Sequence, residues 1–414
     1  MTKADVEILR PLVDRALELA TDPQQARKKE LWARHQALQP TAKIPISVTY
    51  EGIPAQEWDL VFGPNHLRCS DPLAQQLEFD LKRRIWVAEK VGDDHIFWPF
   101  CWVSAVTEAR REWGVPLEWR VPAQELGAKQ IIAPFADGID LSRLTTPEIV
   151  VNEEAARAKM ARAEELLQGW LRVQILYPHL GYAPFDTAVR MRGMEKLLYD
   201  VYDQPQAVHG LMDHITAALE AHHRQREAKG WINCVADRHY QALFSPWRVH
   251  ASYLPPDHGQ RPPRLADEWA YVTDQTSTGL GPAMYAEFVN RYHIRLASSF
   301  TNQTVYYHGC ETLDQKMVII KRLPNLRRIH VSPWSSVAKA VEVFQGRAVM
   351  EVHAHPGKVM ISSTPQEMRA ELRGLIEASQ GMPLDLNLSD IHSLNGKPGT
   401  LAIWTRVAQE LSWR

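Results

Sequence analysis

EWAYVTDQ (Glu268–Gln275), TVYYHG (Thr304–Gly309), LRRIHVS (Leu326–Ser332), AVMEVHA (Ala348–Ala354) and PLDLNLS (Pro383–Ser389) are five stretches with the length and composition of strands. A helical pattern follows each one: Pro282 to about Phe300, Leu313 to Arg322, Ser335 to Phe344, Pro365 to Ser379, and Gly399 to Leu411. Strands alternating with helices imply a parallel sheet covered by helices. Right-handed crossovers leave an open doubly wound sheet or a (β/α)8 barrel. No G-x-G-x-x-G and no Walker loop follows a strand, so a nucleotide-binding open sheet has no support. The polar residues favour the barrel, whose chemistry gathers at the C-terminal strand ends. Those ends carry Asp274-Gln275, His308-Gly-Cys310-Glu311, Ser332-Pro-Trp334, His353-Ala-His355 and Asp390-Ile-His392.

His308-Gly-Cys310 is the sharpest local motif. Residues two apart in an extended chain point the same way, so one metal can meet both. An imidazole with a thiolate suits Zn²⁺, which takes a tetrahedral set and keeps one position open for catalysis. The third donor must come from His392, Asp390, His353, His355 or the local Glu311. The plain alternative is a core histidine beside a small buried thiol. His353 and His355 repeat the same-face spacing and suit a metal or proton transfer near neutral pH; a polar loop after a strand explains them equally. Asp274 and Gln275 could orient a substrate or simply cap a turn before Pro282. The aromatics Trp98, Phe100, Trp102, Trp231, Tyr307 and Trp334 fall near strand ends and suit a flat ligand, although packing accounts for most tryptophans. The basic run His222–Arg226 reads as a solvated helix end.

Working back toward the N-terminus, Leu9, Leu12, Val13, Ala16 and Leu19 fit one helix and Gln25–Leu38 a second, surface one. Ile44–Tyr50 reads as a strand. Asp71-Pro72 starts a helix running to Val91. Ile96–Val103 has strand length, and Trp113–Asp137 reads as hairpins and loops. Glu153–Leu171, Gly193–Tyr202 and Pro205–Lys229 read as helices. Pro255–Pro263 is a domain linker or one long loop. The 414 residues therefore divide into a helical extension, 1–40, and one barrel, 41–414.

Composition narrows the function. Lys+Arg total 47 against 49 Asp+Glu, a net charge of −2, which argues against a nucleic-acid partner. No apolar run approaches the roughly 18 residues of a membrane helix, and the N-terminus does not read as a signal peptide. The four cysteines (Cys69, Cys101, Cys234, Cys310) form no CxxC pair, so a reducing cytoplasm is expected.

The stretch DQTSTGLGPAMYAEFVNRYHIRLASSFTNQTVYYHGCETL (274–313) resembles the uroporphyrinogen decarboxylase-like superfamily, with its polar strand end, helix, and strand ending in H-x-C. MRGMEKLLYDVYDQPQAVHGLMDHIT (191–216) is similar to the family's RG-x-E-x-L helix pair, here Arg192, Gly193 and Glu195. The resemblance covers about residues 40–414 and implies one (β/α)8 barrel. The arginine motif of the true decarboxylases is missing, whereas His308 and Cys310 match the zinc motif of the branch that works with corrinoid proteins. That branch places a late cysteine near the last strand; this chain has LDLNLSDIHSL there, with Asp390 or His392 as substitutes.

The resulting expectation is a zinc methyltransferase moving a methyl group between a small methylated substrate, such as a methyl ether, and cobalamin on a partner corrinoid protein. His308, Cys310 and His392 would hold zinc, and Glu311 or Asp390 would complete the site or move a proton. Asp274, Gln275, Tyr307, Trp334, His353, His355 and Arg192 would contact substrate. A homodimer is compatible with the sequence without being specified by it. The alternatives are a metal-free lyase acting on a porphyrinogen or another small acid, with Arg192 on its carboxylates, and a non-catalytic binding barrel.

Overall fold

The computed structural model describes residues 3–50, 52–122, 130–233, 260–300 and 303–413. Cys234 and residues 255–259 of the expected linker lie outside them. The chain is a mixed α/β fold. We label the strands that build its centre β1 (Ile46–Val48), β2 (Phe100–Ser104), β3 (Arg172–Leu176), β4 (Ala270–Thr273), β5 (Val305–His308), β6 (Leu326–Val331), β7 (Val349–His353) and β8 (Leu384–Leu388). Six form one parallel sheet in the order β1-β8-β7-β6-β5-β4. The five strands expected in the last third are thus parallel and adjacent. Ile46 pairs with Leu386, which sets the first strand against the last.

The reason for a sheet buried on both faces is the alternation within each strand. Leu384, Leu386 and Leu388 join the main apolar core, while Asp385 and Asn387 between them face the sheet's other side, and all five are buried. Neighbouring strands repeat this: Ile329 and Val331 against Arg328 and His330, Met350 and Val352 against Glu351 and His353. The inner face is therefore polar rather than filled with branched aliphatics.

The ladder does not run on into a complete ring among the described residues. β2 and β3 form a separate parallel pair. At the free edge of β1, two carboxylates take the place of a neighbouring strand. Asp94 Oδ2 accepts from Ile46 N at 2.8 Å and Asp93 Oδ2 from Val48 N at 2.7 Å. At the β4 edge a single parallel bridge, Tyr182 to Val272, continues the pattern among the described residues.

Other expectations are met with adjustments. The N-terminal helices are Lys3–Thr21 and Pro23–Gln36. The second is not merely a surface helix: Trp32 is fully buried and donates to Asp94 O, and His35 reaches Asp385. Asp71 caps Pro72–Trp86 through Leu73 N and Ala74 N. The apolar run 96–103 becomes strand only from Phe100, just after Pro99. Hairpin strands occupy a wider excursion, with Thr107–Arg111 paired to Glu148–Val151 and Glu118–Arg120 to Gln130–Ile132. A short helix, Pro356–Ile361, was not legible in the sequence. Among the described residues no helix is long and apolar enough to cross a membrane.

Candidate metal centre

Tyr306, His308 and Cys310 alternate onto the inner face at the end of β5. The register pairs Tyr307 with Ile329, so the next residues, His308 and His330, lie side by side. Their rings stack at 4.1 Å with an 8° tilt, and His353 of β7 meets the His330 ring at 4.0 Å and 61°. His308 Nε2 is 3.1 Å from Cys310 Sγ, and its Nδ1 is 2.9 Å from the Tyr306 hydroxyl. Pairing Nδ1 with the phenol leaves Nε2 turned to the sulfur. One ligand atom from each of His308, Cys310 and His330 falls within 4.8 Å of the others.

Electrostatics suit a cation here. Burial, followed by the neighbouring His353 and His308, pushes His330 well below the ordinary histidine range, although the Gly309 backbone pulls the other way. The ring is therefore neutral, as a ligand must be. Neither of its buried nitrogens makes a well-formed hydrogen bond. Burial, then Asp390 and Glu311, pushes the Cys310 thiol up, and the thiol donates to Asp390 Oδ2 at 3.7 Å. A bound divalent cation inverts that balance and favours the thiolate. The donor set, one sulfur and two imidazoles with a carboxylate beside them, fits Zn²⁺.

A buried network supports the row of histidines from below. His353 Nε2 lies 2.7 Å from Glu351 Oε1 and 3.0 Å from Asn387 Nδ2. Arg328 donates to Glu351 Oε2 and Asp385 Oδ1, each at 2.7 Å, and His35 Nε2 is 2.9 Å from Asp385 Oδ2. Burial works against the Asp385 charge, but Arg328 and then His35 outweigh it and hold the carboxyl below its ordinary value.

Above the centre a cavity of about 480 Å³ opens across the C-terminal ends of β5 to β8. Cys310 and His330 form part of its wall with Trp334, His355, Asp390 and His392. The Trp334 and His355 rings meet edge to face at 4.8 Å. His355 also caps helix Pro356–Ile361 by accepting from Lys358 N.

Several expected site residues lie elsewhere. His392 lines the exposed rim and is not one of the three donors that meet; His330 of β6 stands in that position. Asp390 adopts a left-handed φ of 55°, which an aspartate tolerates, and its Oδ2 lies 3.7 Å from Cys310 Sγ. Glu311 turns toward Lys316 Nζ at 3.7 Å, and burial raises its carboxyl to about 7. Asp274 is fully buried; it accepts from Phe185 N and Asp186 N, and His293 Nε2 lies 2.6 Å away. It thus caps helix Pro184–Arg192 rather than the one at Pro282. Gln275 begins the turn Gln275–Gly279. Tyr307 faces the helices, its hydroxyl 2.8 Å from that of Tyr285. Arg192 is bound to Asp200 and to the carbonyls of Phe135 and Ala136. The residue the sequence reading missed is His330. Its signal was the alternation Arg328–His330–Ser332 within LRRIHVS, which puts a third histidine level with His308.

No protein-family model and no curated protein matches the sequence. Among solved structures the chain is similar to a methyltransferase from Methanosarcina mazei, with a TM-score of 0.56 and 13% identity, covering 93% of this chain and 98% of that one. At that identity the likeness is one of fold, carried over nearly the whole length of both chains.

Proposed function

We propose that this chain is a zinc-dependent methyltransferase of the uroporphyrinogen decarboxylase-like kind, built on a (β/α)8 barrel. It would move a methyl group between a small methylated substrate and cobalamin carried by a partner corrinoid protein in the cytoplasm. The observation that carries the reading is the convergence of His308, Cys310 and His330 beside a cavity at the C-terminal strand ends. The fold shared with a methyltransferase supports it.

His308, Cys310 and His330 would hold the metal, with Asp390 next to the sulfur. Bound zinc supplies Lewis acidity toward the atom that bears the methyl group. Tyr306 orients His308 through Nδ1, and Glu351 fixes His353 against the His330 ring. Asp390 Oδ2 already accepts the thiol hydrogen bond and would take that proton when the thiolate forms. Trp334 and His355 form one side of the cavity. The lyase alternative assigned Arg192 to substrate carboxylates, but all the hydrogen bonds described for its guanidinium are internal.

Elemental analysis of purified protein tests the reading, together with methyl transfer to reduced cobalamin from a panel of methyl ethers, amines and thiols. About one zinc per chain, lost in Cys310→Ser and His330→Ala along with transfer, is expected. Metal-free protein in which Cys310→Ser changes nothing would overturn it.

A further inference from the structure

A chain of buried polar side chains crosses the inner face of the sheet and ends at the metal centre. It starts outside the sheet, on helix Pro23–Gln36 of the N-terminal extension. Lys28, Trp32 and His35 are spaced i, i+4, i+7 and so share one helix face. Lys28 Nζ donates to Asp93 O at 2.8 Å and to His95 O at 3.0 Å, and Trp32 Nε1 donates to Asp94 O at 2.8 Å. These bonds seat the helix on the segment that covers the free edge of β1. His35 then enters the interior with 3% of its side chain exposed.

An ionised carboxylate only accepts, so His35 Nε2 donates to Asp385 Oδ2 at 2.9 Å. Asp385 gives its other oxygen to Arg328, Arg328 gives a second N–H to Glu351 Oε2, and Glu351 Oε1 faces His353 Nε2. Each acid thus divides its two oxygens between two bases, and every member is buried. His353 then meets the His330 ring edge to face. Removing one member strands a buried charge, which costs about 3–5 kcal/mol unless a neighbour turns to it. Arg328 is the neighbour equipped to turn, because its buried Nη1 makes no hydrogen bond. Without His35, that donor would turn to the stranded Asp385 oxygen and draw the guanidinium away from Glu351. His353 would then lose its hold against His330.

We infer that His35 is a positioning residue of the metal centre: through Asp385, Arg328, Glu351 and His353 it holds the His330 ring where it meets His308 and Cys310, which makes the N-terminal extension part of the metal-binding unit. This rests on the proposed function for the metal and not for the reaction.

The test uses the purified full chain and needs no methyl transfer. Zinc affinity is measured by competition with a chromophoric chelator, and coordination geometry by the visible d–d bands of cobalt(II) bound in place of zinc. Loss of a partner that directly orients a ligand costs about 10–100-fold in affinity, so the more distant His35→Leu is expected to weaken zinc about five- to tenfold and to shift the cobalt bands. His35→Gln keeps an N–H donor for Asp385 and should restore zinc affinity to within about twofold, with the original bands. Linkage requires the reverse effect: zinc should slow hydrogen exchange at residues 33–37 of the unaltered chain by about the same five- to tenfold, and should not do so in His330→Leu. That measurement decides the matter even if His35→Leu fails to fold. A His35→Leu variant that binds zinc as tightly as the unaltered chain with the same cobalt bands, a His35→Gln variant no better than His35→Leu, or exchange in the extension that ignores zinc would each overturn the inference and leave the proposed function standing. Unaltered protein that binds no zinc would overturn both.

Discussion

Replacing His330 by leucine separates a metal ligand from an ordinary buried histidine. The two ring nitrogens are buried and make no well-formed hydrogen bond, and a buried polar group left unsatisfied costs about 1–3 kcal/mol. Leucine removes that cost. It also removes ring contacts to His308 at 4.1 Å and His353 at 4.0 Å, each worth about 0.5–1.5 kcal/mol. The two effects offset, so the metal-free variant should match the unaltered protein within about 1 kcal/mol. With free zinc at about 1,000 times its dissociation constant, the unaltered protein gains about 4 kcal/mol from linkage. A ligand loss that weakens zinc about 100-fold leaves only about 1.4 kcal/mol of this. Urea denaturation in chelator and in a zinc buffer measures both numbers. An unchanged zinc-dependent stabilisation would refute the ligand role. A metal-free variant destabilised by more than about 3 kcal/mol would show that His330 is held for packing instead.

Asp385→Asn should destabilise the protein by about 3 kcal/mol at pH 7, because it leaves Arg328 short of a buried partner. The folded carboxyl lies below its ordinary value, so its contribution is present above about pH 4 and is lost as pH falls through the lower folded value. The penalty should shrink accordingly in acid urea titrations, and a pH-independent penalty would contradict the assignment. Gly309→Ala puts a Cβ 2.8 Å from Glu311 Oε2 and 3.0 Å from Leu313 Cδ2. It should cost about 1–3 kcal/mol and lower zinc occupancy by displacing Cys310, read by thermal melting and elemental analysis. Asp94→Ala strips the acceptor from Ile46 N at the free edge of β1 and should cost about 1–3 kcal/mol. Hydrogen exchange at the Ile46 amide should accelerate, and unchanged protection would show that another group covers the edge.

The regular third of the fold was legible because its determinants are local. In β8, Leu384, Leu386 and Leu388 alternate with Asp385 and Asn387, a pattern that a single strand displays by itself. The pairing of His308 with Cys310 was legible for the same reason, since two residues apart on one strand already share a face. The third donor was not. Whether His330, His353 or His392 meets Cys310 depends on the register between strands, and the pairing of Tyr307 with Ile329 is a tertiary fact that brings His330 alongside. His392 lies beyond the end of β8, two residues after Asp390, and sits on the exposed rim of the cavity. The polar strand end at Asp274 was equally visible, but helix Pro184–Arg192 starts against it and takes both of its oxygens. Chain spacing determined which side chains share a strand face; inter-strand register and helix docking decided which of them face one another. Those contacts join residues far apart in sequence, where no local pattern constrains them.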